Sequence, residues 1–125
     1  MGVLGALLLC AATGCTAELT ADLKVDGESF VPTSCRAGQV NSFAGVDLID
    51  DSGRTLRLVQ STSNKPSAIV LAGGDAIELG PCGAMMVTRQ SSSVNDITNV
   101  MGDATLDCTA GEHSLSGTIV FKNCH

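Results

Sequence analysis

The chain has 125 residues, seven Lys plus Arg against thirteen Asp plus Glu, a formal net charge of -6, six Cys, three Phe and neither Trp nor Tyr. That length allows one domain. The absence of a basic cluster and of Trp and Tyr argues against nucleic-acid binding, which needs cations for the phosphates and rings for the bases, and 44% hydrophobic against 16% charged residues excludes a disordered acidic tail.

The chain opens with a segment that carries no charge from Gly2 to Gly14. Its apolar core, Val3 to Ala12, is about ten residues, half of the roughly 20 that cross a bilayer as a helix, and fits the apolar region of a signal peptide. Ala12-Thr13-Gly14-Cys15 resembles the lipobox of bacterial lipoprotein precursors. The resemblance implies a signal peptide over 1–14 that forms a short apolar helix, cleavage before Cys15 and a diacylglycerol on its sulfur. Thr16, in the place where Asp would signal inner-membrane retention, implies an outer-membrane location. Residues 15–18 are then the lipidated N-terminus and a short tether, and 19–125 a single β domain. A signal cut by the ordinary peptidase and a buried N-terminal helix are the competing readings.

From residue 19 onward the chain alternates. Leu19, Ala21, Leu23 and Val25 recur every second residue, the pattern of a half-buried strand, and Asp26-Gly27 ends it as a turn. Val46 and Leu48, then Leu56 and Leu58, flank Asp50-Asp51-Ser52-Gly53 as the arms of a hairpin. Ala68 to Ala72 reads as a short strand buried on both faces, and Ile77 with Leu79 as another before Gly80-Pro81. Ala84 to Arg89 continues as a strand, and Val100 to Cys108 and Leu115 to Cys124 form the last pair. Residues 60–67 and 90–93 read as polar loops, and Val94, Ile97 and Met101 could mark one or two helical turns. Short strands at this spacing predict a mainly β fold: an antiparallel β-sandwich or partly open barrel of about seven or eight strands.

Export places the cysteines in an oxidising compartment. Cys10 leaves with the signal and Cys15 takes the lipid, which leaves Cys35, Cys82, Cys108 and Cys124 for two disulfides. Strand register chooses among the three possible pairings. A last hairpin turning near Gly111 and Glu112 sets Cys108 opposite Leu115, Leu106 opposite Gly117, Ala104 opposite Ile119 and Gly102 opposite Phe121. Cys124 then lies about eight residues, over 25 Å, from the partner of Cys108, beyond the roughly 7 Å that a disulfide spans. A preceding turn near Asn95 sets Cys82 opposite Cys108, Ala84 opposite Leu106 and Met86 opposite Ala104. The expected bridges are Cys82–Cys108 and Cys35–Cys124.

No catalytic signature is present: there is no nucleophile elbow, phosphate loop or dinucleotide fingerprint. Ser114, His113 and an Asp could be assembled into a triad only on paper. No cofactor or metal is expected. Cys108, His113, Cys124 and His125 match no common zinc spacing, and Asp47, Asp50 and Asp51 lack the order of a calcium loop.

The region after the signal is similar to mycobacterial lipoprotein antigens, through Val25-Asp26-Gly27, Ser34-Cys35, Gly38-Gln39-Val40 and a last strand ending in Cys124. The resemblance implies a surface-exposed anchor or antigen without catalysis. The expected function is a non-catalytic, lipid-anchored envelope lipoprotein whose domain makes protein contacts; its partners would be the membrane, through the lipid, and an envelope protein. The alternatives are a carrier of a small apolar ligand and an accessory or inhibitor subunit of an envelope complex.

Overall fold

The structure, a computed structural model, describes residues 16–61, 65–94 and 96–125. The expected signal helix over 1–14 and the lipid site at Cys15 lie outside these residues. The described chain forms ten strands: β1 (Glu18–Val25), β2 (Glu28–Phe30), β3 (Pro32–Ala37), β4 (Gly45–Asp50), β5 (Thr55–Val59), β6 (Ser67–Ala72), β7 (Asp75–Pro81), β8 (Ala84–Val94), β9 (Ile97–Ala110) and β10 (His113–Cys124). A single 3-10 turn, Gly38–Asn41, joins β3 to β4.

The strands make two five-stranded antiparallel sheets that face each other as an open sandwich. One has the order β2-β1-β10-β9-β8 and the other β3-β4-β5-β6-β7. The fold is therefore a sandwich of ten strands, where about seven or eight were expected. β2 and β3 escaped the sequence reading because Glu28 to Ala37 offers little alternation: Pro32, Thr33, Ser34 and Arg36 surround Cys35 without a second large apolar residue. Only pairing with β1 and β4 makes them strands.

Each sheet turns one face inward, as period-2 side-chain direction requires. Leu23 and Val25 of β1, Val46 and Leu48 of β4, Leu56 and Leu58 of β5, and Leu115, Ile119 and Phe121 of β10 are buried between the sheets. Leu48 pairs with Leu56 and Val46 with Leu58, so the hairpin around Asp-Ser-Gly forms as its alternation predicts. Each such aliphatic or aromatic side chain contributes about 1.5–3 kcal/mol on burial. The tight turn at Asp26-Gly27 has positive φ at both residues, 53° and 81°, the twist that a two-residue hairpin connection favours.

The last hairpin has the expected register: Cys108 lies opposite Leu115, Leu106 opposite Gly117, Ala104 opposite Ile119 and Gly102 opposite Phe121. Gly117 sits where β1 and β10 approach most closely; at φ 118°, a Cβ there would collide with the carbonyl of Asp22.

Four expectations fail. Residues 90–93 are strand, not loop, and the described residues of 93–101 form no helical turn; β8 runs to Val94, which pairs with Ile97 of β9. Polarity at Gln90 to Ser93 marked the outer strand of a sheet, where one edge is solvated. β6 buries one face only, with Ala68 and Val70 inward and Ile69 and Leu71 half-buried. Finally, β8 is one residue out of the expected register: Met85, not Met86, lies opposite Ala104. Met85 is 2% exposed and Met86 64%. The turn pairs Val94 with Ile97, half a residue beyond the expected centre, and between Arg89 and Ser93 β8 takes two residues more than β9, a β-bulge that counting back from the turn cannot detect.

Candidate functional site

The structure joins Cys35 to Cys124 and Cys82 to Cys108, with Cα–Cα distances of 5.2 and 5.4 Å. The Cys35–Cys124 bridge crosses between the sheets, and Cys82–Cys108 fastens the link between them to one sheet. Cys35 is on β3 and Cys124 ends β10 in the other sheet. Cys82 lies in the link that carries the chain from β7 to β8, and Cys108 is on β9. Cys82 does not face Cys108 as a cross-strand neighbour, as the expected register had it. Its N–H donates to the carbonyl of Pro66, and Gly83, at φ 69°, then turns the chain onto the opposite sheet against the carbonyl of Thr105. Among the described residues no cysteine is free. Two disulfides suggest an extracytoplasmic protein.

The acidic and His residues singled out in the sequence fall in three places. Asp47 is on the outer face of β4 and yet buried. Arg57, its cross-strand neighbour on β5, donates to both carboxylate oxygens at 2.8 and 3.0 Å, and the Asn41 amide adds a third bond at 3.2 Å. The bond to Asp47 raises the Arg57 pKa above its ordinary value against the desolvation that would lower it. The guanidinium also stacks on Phe43, 4.7 Å from the ring centre. This is a bidentate, partly desolvated ion pair, the geometry in which Arg pairs most strongly. Asp50 serves the β4–β5 turn, Asp51 is exposed, and the three carboxylates do not converge. Among the described residues no group of three or more His, Cys, Asp or Glu could hold a metal ion.

His113 Nδ1 lies 3.2 Å from Asp26 Oδ2, and the Ser114 N–H donates to Asp26 Oδ1 at 2.9 Å. These bonds, the Ser114 one first and the His113 one next, lower the Asp26 pKa. The contact ties the β1–β2 turn to the start of β10. Among the described residues, the Ser114 hydroxyl makes no bond to the His113 ring; neighbours on a strand point to opposite faces. The Asp–His contact is present, but the Ser of the paper triad is not placed to be activated by it.

A half-open cleft of about 540 Å³ lies beside β3. Thr33 to Arg36 of β3 form one wall. Val94 and Ile97, at the tip of the β8–β9 hairpin, face them, with Thr16 and Ala17 at the start of β1. Val40 and His125 complete it. His125 Nδ1 is buried without a hydrogen-bond partner, and Arg36 contributes the one formal side-chain charge. The volume falls within the roughly 300–1,000 Å³ of ordinary ligand sites, but the lining mixes hydroxyls, a guanidinium and an imidazole with aliphatic groups. A second cavity of about 100 Å³ lies beside Phe43, Gln60, Val87 and Arg89. The larger cleft was not legible in the sequence, because its walls come from five separated segments with no shared motif.

The described chain is thus a mainly β protein, a two-sheet antiparallel sandwich cross-linked by two disulfides. Comparison with family models, with curated proteins and with solved structures found no match.

Proposed function

We propose that this protein is a non-catalytic envelope lipoprotein, anchored by a lipid on Cys15, whose β-sandwich makes protein contacts at the membrane surface. The observation that carries the reading is the uncharged run Gly2 to Gly14 that ends Thr13-Gly14-Cys15. The cysteine arithmetic supports it. Cys35, Cys82, Cys108 and Cys124 are all committed to disulfides, so none of these four is left to pair with Cys15. The short tether supports a domain held close to the bilayer: β1 begins at Glu18, three residues after Cys15. A single acyl chain holds a protein only marginally, whereas the several chains of the lipoprotein modification give stable anchoring.

The test is Cys15→Ala in a bacterial host that processes lipoproteins. The wild-type chain is expected in the membrane fraction, and the variant in the soluble extracytoplasmic fraction or accumulated as uncleaved precursor without lipid. Metabolic labelling with a radioactive fatty acid should mark the wild type alone. Equal labelling of both chains, or of neither, would overturn the reading.

A further inference from the structure

The cleft beside β3 touches four consecutive strand residues, Thr33 to Arg36. Successive side chains of a strand point to opposite faces, so a cavity that meets four in a row runs along the strand's edge rather than over one face. β3 is the outer strand of its sheet and pairs only with β4. Among the described residues, no backbone hydrogen bond outside the sheets involves residues 33–37. The outward N–H and C=O groups of β3 therefore stand unpaired along the cleft, the arrangement that accepts an added strand.

We infer that this cleft is a docking site for an extended peptide of a partner protein, added as a sixth strand at the β3 edge, in which apolar and acidic residues alternate. A strand laid beside β3 continues that sheet. Its inward side chains then meet Ala17, Val94 and Ile97 of the facing sheet, which are apolar. Its outward side chains run past Arg36, on the face opposite the buried Cys35. No Asp or Glu lines the cleft, although the whole chain carries a net charge of -6, so a carboxylate on the added strand would meet Arg36 there. His125, with its unpartnered Nδ1, adds a further polar group. A second copy of the chain is a poorer occupant, because β3 carries Arg36 and no Asp or Glu to pair with it. A lipid headgroup would satisfy Arg36 but offers no row of backbone partners to the strand edge.

The inference deepens the proposed protein-contact role, and rests on that part of it rather than on the lipid. The probe is a phage-displayed library of random octapeptides, panned on the full chain in detergent micelles and counter-selected on the Arg36→Glu variant. Both positions tested, Arg36 and Ile97, lie on the cleft wall outside the buried core, and circular dichroism checks that each variant folds. Peptides that alternate aliphatic residues with Asp or Glu are expected to be enriched. A synthetic copy of one should lose at least about tenfold in affinity on Arg36→Glu or Ile97→Asp, the equivalent of one charge-assisted hydrogen bond. The same peptide N-methylated at alternate residues should lose as much, because it can no longer pair with the strand. No enrichment over the counter-selected variant overturns the inference, as does an N-methylated peptide that binds equally well. Binding of Cys15→Ala to phosphatidylglycerol vesicles that depends on Arg36, with no peptide enriched, assigns the cleft to a membrane surface and also overturns it. Peptide binding by a chain that takes no lipid would sink the lipoprotein reading alone.

Discussion

Asp50 holds the β4–β5 turn with both carboxylate oxygens. Oδ1 accepts the Ser52 hydroxyl at 2.7 Å and the N–H groups of Ser52 and Arg54 at 3.0 and 2.9 Å; Oδ2 takes Arg54 Nε at 3.2 Å. Desolvation pushes its pKa up, but these bonds to the charged form outweigh it, and the net shift is downward from 3.8. A carboxyl whose folded pKa is depressed adds stability above its unfolded pKa, and that stability is lost as pH falls through the folded value. Asp50→Asn should therefore be less stable than the wild type at pH 7 in urea titrations, and the gap should narrow once pH drops below 3.8. A gap that stays constant to the lowest accessible pH would deny Asp50 this role. Asp26 acts with the same sign. The Asp-Ser-Gly signal made this turn legible, because all its bonds are local. The burial of Asp47 was not legible, because its partner Arg57 is ten residues away and meets it only through the hairpin register.

At the scale of the element, β8 shows how much a slip of one residue decides. Alternation is the same for a strand and for its one-residue slip, which exchanges the two faces. In β8 both faces offered a methionine, so composition could not choose. The turn itself makes the choice: Val94 lies opposite Ile97, half a residue beyond a centre at Asn95, and the irregularity between Arg89 and Ser93 adds two residues on β8, which leaves the faces as they are and keeps Met85 inward beside Ala104. Met85→Ala should cost about 2–5 kcal/mol by chemical denaturation, the range for a truncated core side chain. Met86→Ala should stay within about 0.5 kcal/mol, as for an exposed position. The opposite order would place Met86 rather than Met85 on the inward face. The β9–β10 hairpin was legible because no bulge falls between its turn and Phe121, and every inward pair there is apolar or small.

For the molecule as a whole, the two disulfides do what a small aliphatic core with few aromatic rings does not do alone. Cys35–Cys124 ties one layer of the sandwich to the other, and Cys82–Cys108 fastens the β7–β8 link to β9. They constrain the unfolded chain unequally, spanning 89 and 26 residues. The chain-entropy model gives about 4.6 kcal/mol for the longer loop and about 3.5 kcal/mol for the shorter. Cys35→Ala/Cys124→Ala should accordingly be the less stable of the two double variants, by about 1 kcal/mol in denaturant midpoints converted to free energy. Equal losses, or the reverse order, would show that local packing at Cys82 and Cys108 outweighs loop closure.

The mainly β class and most turns were determined by the sequence itself, because a period of two and turn residues such as Asp-Gly act within a few positions of each other. The division of ten strands into two facing sheets was decided only in three dimensions, since β1 finds β10 across nearly the whole chain. So was the inter-sheet character of the Cys35–Cys124 bridge, and so was the place of Cys82 in the link where Gly83 turns the chain from one layer to the other. The cleft belongs to the same category: Thr16, Arg36, Val94 and His125 share no local pattern, and they meet because one sheet ends its free edge at β3 while the other reaches past it.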